Sequence, residues 1–190
     1  MMGRSHVLLG AACYLALWRH PLPTPLGLLG APVLGGPGLA GVPDLVLVGA
    51  SLLGAGACAL GPDIDKSGST IARAGGCATG TLAWGLEHTV RHRGPLHSLL
   101  ALLAVVLVGN AVGAALGLTG LGALIGFGWG AHLLGDIASS HGVPLFWPVR
   151  RHVRPPLTFA TGTWQEALVL AGAVVACVGW AAQDLLTPIG

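Results

Sequence analysis

Apolar and polar positions come in blocks along this chain rather than in fine alternation. Five stretches, at roughly 5–18, 44–61, 97–117, 119–137 and 165–184, are nearly free of charge. A helix that crosses a bilayer needs about 20 residues, with a lower limit near 17. The last four stretches therefore qualify as spans, and the first is short. Polar connections at 62–96 and 138–164 separate them, and the Pro/Gly-crowded segment 19–43 is not expected to form one regular helix. That segment reads as a loop, re-entrant or lying at the membrane interface. The predicted fold class is all-α: a multi-pass transmembrane bundle of about five helices, forming one membrane-embedded domain over residues 1–190.

The first stretch, with Arg4 before it, could instead be the apolar region of a signal peptide. "RHPLP" follows it without a small-residue cleavage site, so a retained helix is the better reading.

Composition supports the membrane assignment. Hydrophobic residues make up 53% of the chain, charged residues only 8%, and the mean hydropathy is +0.77, beyond ordinary soluble proteins. The formal net charge of +2 provides no electrostatic footprint for nucleic acid, and no nucleic-acid partner is expected. The four cysteines, Cys13, Cys58, Cys77 and Cys177, form no CxxC pair, so neither a disulfide nor a zinc ribbon is inferred. Glycine accounts for 32 of 190 residues. The four-residue spacing of Gly109, Gly113 and Gly117, and of Gly122, Gly126 and Gly130, marks helix faces expected to pack closely.

Threading the five stretches up and down through a bilayer sorts the charges. Eight of the nine cationic residues (Arg4, Lys66, Arg73, Arg91, Arg93, Arg150, Arg151 and Arg154) fall on one side, and Arg19 falls opposite. The positive-inside rule makes that side cytoplasmic. Seven of the eight histidines and five of the seven acids collect on the same side. Ionisable groups at membrane depth are costly and usually face a cavity or one another, so the predicted face is a candidate site.

His132 and Asp136, four residues apart, would share one helix face and reach a common ion. His141, beyond the helix end marked by Gly142 and Pro144, could turn back towards it. Imidazole and carboxylate are normal zinc donors and suit other divalent transition metals. The bland alternative for this pair is a polar helix cap. In "LGPDIDKSGST", extended backbone would point Asp63 and Asp65 the same way, one to ligate and one to bridge or orient; an Asx turn is the alternative. In "EHTVRHRGPLHSLL", His92 and His97 could face one centre if the chain turns between them, with His88 and His92 as a competing helical pair. Arg93 offers a fixed cation for a phosphate or carboxylate oxygen, although membrane anchoring explains Arg91 and Arg93 equally well. His6 and Glu166 stand at the starts of the first and last helices, where Glu166 could simply complement a helix N-terminus.

The stretches "RSHVLLG", "LGPDIDKSGS", "HRGPLHS", "GAHLLGDIASSHGVPLFWP" and "TGTWQE" occur in this order along nearly the whole chain. Together they resemble the YdjM-type, LexA-regulated inner-membrane metal-dependent hydrolase family. Segments 19–43 and 68–87 carry no matching motif. The chain departs from the pattern at Pro95-Leu96, where a threonine is expected before the second histidine, and at His141, where a hydroxyl residue is common. The resemblance implies a multi-pass inner-membrane protein with a hydrolytic metal site and no well-defined substrate. A shorter, gapped order of His, Asp, His, HxxxD and a later His/Glu is similar to zinc-dependent phospholipase C and P1-type nucleases, which favours phosphoester chemistry.

The resulting expectation is a metal-dependent hydrolase of the cell membrane whose site faces the cytoplasm. One or more divalent ions, zinc favoured, would be held by ligands drawn from His6, Asp63, His97, His132, Asp136, His141 and Glu166. Asp63 or Asp136 would bridge if two ions are present. Asp65 is the expected general base, Arg93 the anion-stabilising cation, and His92 a ligand or acid. The location suggests a lipid headgroup phosphoester, with a small soluble phosphoester as the alternative. A transporter would place ionisable residues in mid-span rather than at span ends. A noncatalytic scaffold with a structural metal is the remaining rival.

Overall fold

The computed structural model describes residues 3–17, 34–89 and 94–186. Seven α-helices occur among them: α1 (Gly3–Leu17), α2 (Asp44–Cys58), α3 (Thr70–Ala74), α4 (Gly76–Thr89), α5 (Leu99–Leu116), α6 (Leu121–Ile137) and α7 (Trp164–Leu186). No strand occurs among the described residues, only isolated bridges such as Val143 with Val153. The all-α expectation therefore holds. Three helical stretches, Asp44–Asp65, Leu99–Leu116 and Trp164–Gln183, are long and apolar enough to cross a membrane. α1, with 15 residues, and α6, with 17, are apolar but shorter. The stretch expected at 119–137 forms α6 from Leu121, after Gly120 at φ 82°, and its 17 residues stand at the lower limit for a span.

The helix ends follow local chemistry. Pro43 precedes α2 and supplies a preset φ of −59°, while Asp44 in the first turn complements the helix dipole. The Ser98 hydroxyl accepts the Ala101 N–H at 3.2 Å and caps α5. α5 ends at Gly117, in the left-handed region at φ 67°, where the Leu118 N–H donates to the Gly113 carbonyl at 2.8 Å. The short turn to Gly120 folds α6 back against α5.

α6 is the hub: α1, α2 and α5 all pack on it, and α7 packs on α1. Glycines allow these approaches, but not all of those the spacing selected. A Cβ on Gly109 would come within 3.0 Å of the Gly122 Cα, so the α5–α6 crossing does use two of them. Gly117 is instead a helix cap, and Gly130 faces open space. Gly128, outside the four-residue pattern, lies against the Ala55 carbonyl and 2.7 Å, measured from a hypothetical Cβ, from the Cys58 Cβ. The fit with α2, rather than a regular period, selects the glycine there.

The polar connection 62–96 contains more structure than its pattern suggests. Residues Gly61–Asp65 form a 3-10 turn that continues α2, and α3 and α4 form a small helical arm against it. The Ser69 hydroxyl caps α3 by accepting the Ala72 N–H, and Glu87 on α4 reaches back to accept the Ser67 N–H at 3.1 Å.

Candidate metal centre

Four separate pieces of chain bring polar side chains to one buried point. α2 stops where Pro62 cannot continue it, and the 3-10 turn that follows carries Asp63 and Asp65. A second 3-10 turn, Pro95–His97, delivers His97 immediately before α5. The Trp129 indole N–H of α6 donates to the Leu96 carbonyl at 3.0 Å and ties this turn to the hub helix. His132 and Asp136 come from the last turns of α6, and His6 from the first turn of α1. His6, Asp65, His97, His132 and Asp136 are buried, whereas Asp63 keeps 20% of its side chain exposed. The centre meets its surroundings on the Asp63 side.

The rotation of the 3-10 turn overturns one expectation. Asp63 and Asp65 do not point the same way, as extended backbone would require. Asp63 Oδ1 lies 3.7 Å from the Nε2 of both His97 and His132. Asp65 Oδ2 lies 3.6 Å from Nδ1, on the other edge of the His97 ring. Pro62 in the first turn commits the segment to helical φ, and residues two apart on a 3-10 helix diverge.

Hydrogen bonding sets which ring nitrogens carry lone pairs. His132 Nδ1–H donates to the Ala59 carbonyl at 2.7 Å, which leaves Nε2 as the acceptor. That Nε2 faces the Nε2 of His97 at 3.3 Å. Asp136 Oδ2 lies 3.7 Å from each of these nitrogens. Burial pushes the His97 imidazole below its ordinary pKa, with the contact to Asp63 acting in the opposite direction. A neutral ring with its lone pair turned inward is the form that ligates a metal.

Acceptors gathered at these separations fit a cation. Zinc bonds of about 2.0–2.2 Å in tetrahedral geometry place neighbouring donors about 3.3–3.6 Å apart. The triangle of Asp63 Oδ1, His97 Nε2 and His132 Nε2 has sides of 3.3, 3.7 and 3.7 Å, and these three residues form one group able to hold a metal ion. His6, His132 and Asp136 form a second such group. The His6 ring stacks on His132 with centroids 3.7 Å apart and planes 17° apart. Neither His6 ring nitrogen has a hydrogen-bond partner among the described residues, though Nε2 lies 3.4 Å from Asp136 Oδ1.

The remaining sequence candidates either belong to neither group or fall outside the described residues. His141 is exposed, with its Nδ1 3.4 Å from the Ser140 hydroxyl, and belongs to neither group. Glu166 is buried and accepts the Gly162 N–H at 2.7 Å, a contact at the start of α7, and it too is in neither group. His92 and Arg93 lie outside the described residues. His88 is exposed, and its Nδ1 meets the Trp84 carbonyl at 2.7 Å. Sequence reasoning missed the Ala59 carbonyl and the Trp129 tether. The helix-stopping "LGP" at 60–62 signals the first, because carbonyls in the last turn of a stopped helix lack intrahelical donors.

Comparison with curated proteins and with solved structures finds no match, so the shorter similarity to phospholipase C and P1-type nucleases has no support there. A family model described as YdjM inner membrane protein matches residues 1–187. That match covers every helix and every residue of the buried cluster, and the chain belongs to the YdjM inner membrane protein family.

Proposed function

We propose that this protein is a multi-pass, metal-dependent membrane hydrolase whose centre lies on the cytoplasmic side and acts on a phosphoester, with a lipid headgroup favoured as substrate. One observation carries the reading: the Nε2 atoms of His97 and His132 and a carboxylate oxygen of Asp63 converge at 3.3–3.7 Å in a cluster that is buried except at Asp63. Asp63, His97 and His132 would hold the ion, with Asp136 alongside, and a His/Asp donor set suits zinc. When bound, a divalent ion supplies Lewis acidity and acidifies water to a pKa of about 7.

The protein's own groups have separate tasks. The Ala59 carbonyl fixes the His132 tautomer, and Asp65, behind His97, fixes the orientation of that ring; outer partners of this kind set ligand basicity. Asp65 thus acts as a positioning residue in this reading rather than as the general base. Arg93, directly before the Gly94 turn, supplies a cation for an anionic substrate, and His92 a proton donor. Neither His141 nor Glu166 belongs to that ligand triangle.

Metal analysis of the purified protein, beside phosphoesterase assays on lipid-headgroup and soluble phosphoesters, tests the proposal. Bound zinc with activity in the wild type, and loss of both in His132→Ala, is the expected result. Bound zinc without hydrolysis of either substrate class would point to a scaffold with a structural metal. Equal metal content in wild type and variant would remove the ligand assignment. A reporter fused after Ser67 should be cytoplasmic, and an external signal would reverse the orientation.

A further inference from the structure

The buried cluster draws on one face of α1, and the opposite face lines a groove. This open groove of about 610 Å³ lies between the first two turns of α1 and the start of α3, lined by Gly3, Arg4, Val7, Leu8 and Thr70. Its size falls within the range of about 300–1,000 Å³ usual for small-molecule sites. Arg4 and Leu8, one helical turn apart, share a face of α1. His6 leaves the helix about 200° from Arg4. Exposure agrees: Arg4 is exposed and Leu8 is 54% exposed, whereas His6 is buried. Gly3 closes one end of the groove, since a Cβ there would lie 2.6 Å from the Thr70 hydroxyl oxygen.

The lining is graded from polar to apolar. Arg4 and Thr70 supply a guanidinium and a hydroxyl at one end. Leu8 lies about 6 Å further along the helix axis, beside half-buried Val7, and the rest of α1 continues without charge. A cation at the end of an apolar stretch stands at headgroup level in a bilayer, with hydrocarbon beside the turns that follow. A guanidinium pairs with a phosphate through two parallel hydrogen bonds, and a hydroxyl can donate one more. A hydrocarbon chain covers Val7 and Leu8, a contact that a soluble phosphate cannot make.

We propose that this groove binds an anionic phospholipid, with its phosphate on Arg4 and Thr70 and an acyl chain along Val7 and Leu8. This lipid is a bound partner and not the substrate, because the groove and the buried cluster use opposite faces of α1. Its polar contacts come from two helices. α1 carries His6, and α3 packs against the 3-10 turn that carries Asp63 and Asp65. Occupancy therefore ties the first turn of α1 to the helical arm and stabilises the fold.

Full-length protein in detergent, washed free of lipid, is titrated with phosphatidylglycerol, phosphatidylcholine or inorganic phosphate. Native mass spectrometry counts bound lipid, and thermal unfolding gives the midpoint. Neither readout depends on metal or hydrolysis, so failure here and failure of the proposed activity are distinguishable. One phosphatidylglycerol should bind per chain, raise the midpoint, and bind about fivefold more tightly than phosphatidylcholine. Inorganic phosphate should leave the midpoint unchanged. Arg4→Gln should weaken phosphatidylglycerol binding about tenfold and erase the preference. Leu8→Asn should weaken both lipids alike, and Arg151→Gln, at an exposed cation outside the groove, should bind as the wild type does. No preference in the wild type, a preference that persists in folded Arg4→Gln, or an equal loss in Arg151→Gln would overturn the site. A midpoint shift from inorganic phosphate equal to that from phosphatidylglycerol would assign the groove to a free anion and remove the lipid. The wild-type comparison of the two lipids decides the central point even if Arg4→Gln fails to fold.

Discussion

α5 and α6 are adjacent, antiparallel and similarly apolar, yet they do different work. Of the 18 residues of α5, three are buried: Val106, Gly109 and Gly113. Eleven of the 17 residues of α6 are buried. α5 turns Leu103, Leu107, Val108 and Val112 outward, as a helix does when its outer face meets lipid. α6 presents glycine, alanine and two ionisable groups to its neighbours. Between helices in a bilayer there is little hydrophobic drive, so burial follows small residues and polar contacts rather than hydropathy. The less greasy helix therefore becomes the core.

Four substitutions would break or sharpen this contrast. Gly128→Val should have the largest effect, because the new side chain meets the Ala55 carbonyl and Cys58. Overpacking of this kind costs about 3 kcal/mol, read as a lowered midpoint of thermal or SDS unfolding. An unchanged midpoint would mean that α2 and α6 do not pack as described.

His132→Ala comes next. It removes the donor to a buried carbonyl, a loss of about 1–3 kcal/mol, and should abolish zinc retention after desalting. Retained zinc would separate the buried face of α6 from metal binding.

Trp129→Phe keeps the ring but deletes the hydrogen bond to Leu96. Stability should fall by about 1 kcal/mol. Zinc affinity should weaken about tenfold, as for other outer-shell losses, measured by competition with a chelating dye. Unaltered affinity would show that the turn carrying His97 is held by other means.

Val108→Ala on α5, at a position 62% exposed, should shift stability by less than about 0.5 kcal/mol. A loss as large as that of Gly128→Val would mean that this face is covered, and the contrast would fail.

The same contrast explains what the chain's pattern reveals and what it hides. The apolar blocks give the five long helices to within three residues at each end, because a block bounded by Ser98, Gly117 or Pro43 leaves little choice of ends. The i, i+4 spacing places His132 and Asp136 on one side of α6, as geometry requires. The Asp63–Asp65 pair was harder, since a period-two argument assumes extended backbone and Pro62 imposes a 3-10 turn. α3 and α4 escaped notice because their helicity depends on a Ser69 cap and on packing against the 3-10 turn, not on a long apolar period. Gly128 matters through one contact with α2, and no spacing within α6 reveals a partner from another helix. The stack of His6 on His132 joins residues 126 positions apart, beyond the reach of any local rule.

The hydrogen bond from His132 to Ala59 has a consequence for how such a centre can change. Its acceptor is a main-chain oxygen, so no side chain at position 59 creates or abolishes it. What matters is where the helix stops, and therefore how many residues separate that last turn from Pro62. Inserting or deleting one residue there would rotate a different carbonyl towards His132, or none, and release the imidazole to the wrong tautomer. A side-chain substitution at position 59 leaves that property untouched, while a change in chain length erases it. Ligand chemistry at this position is encoded by a count of residues rather than by their identity.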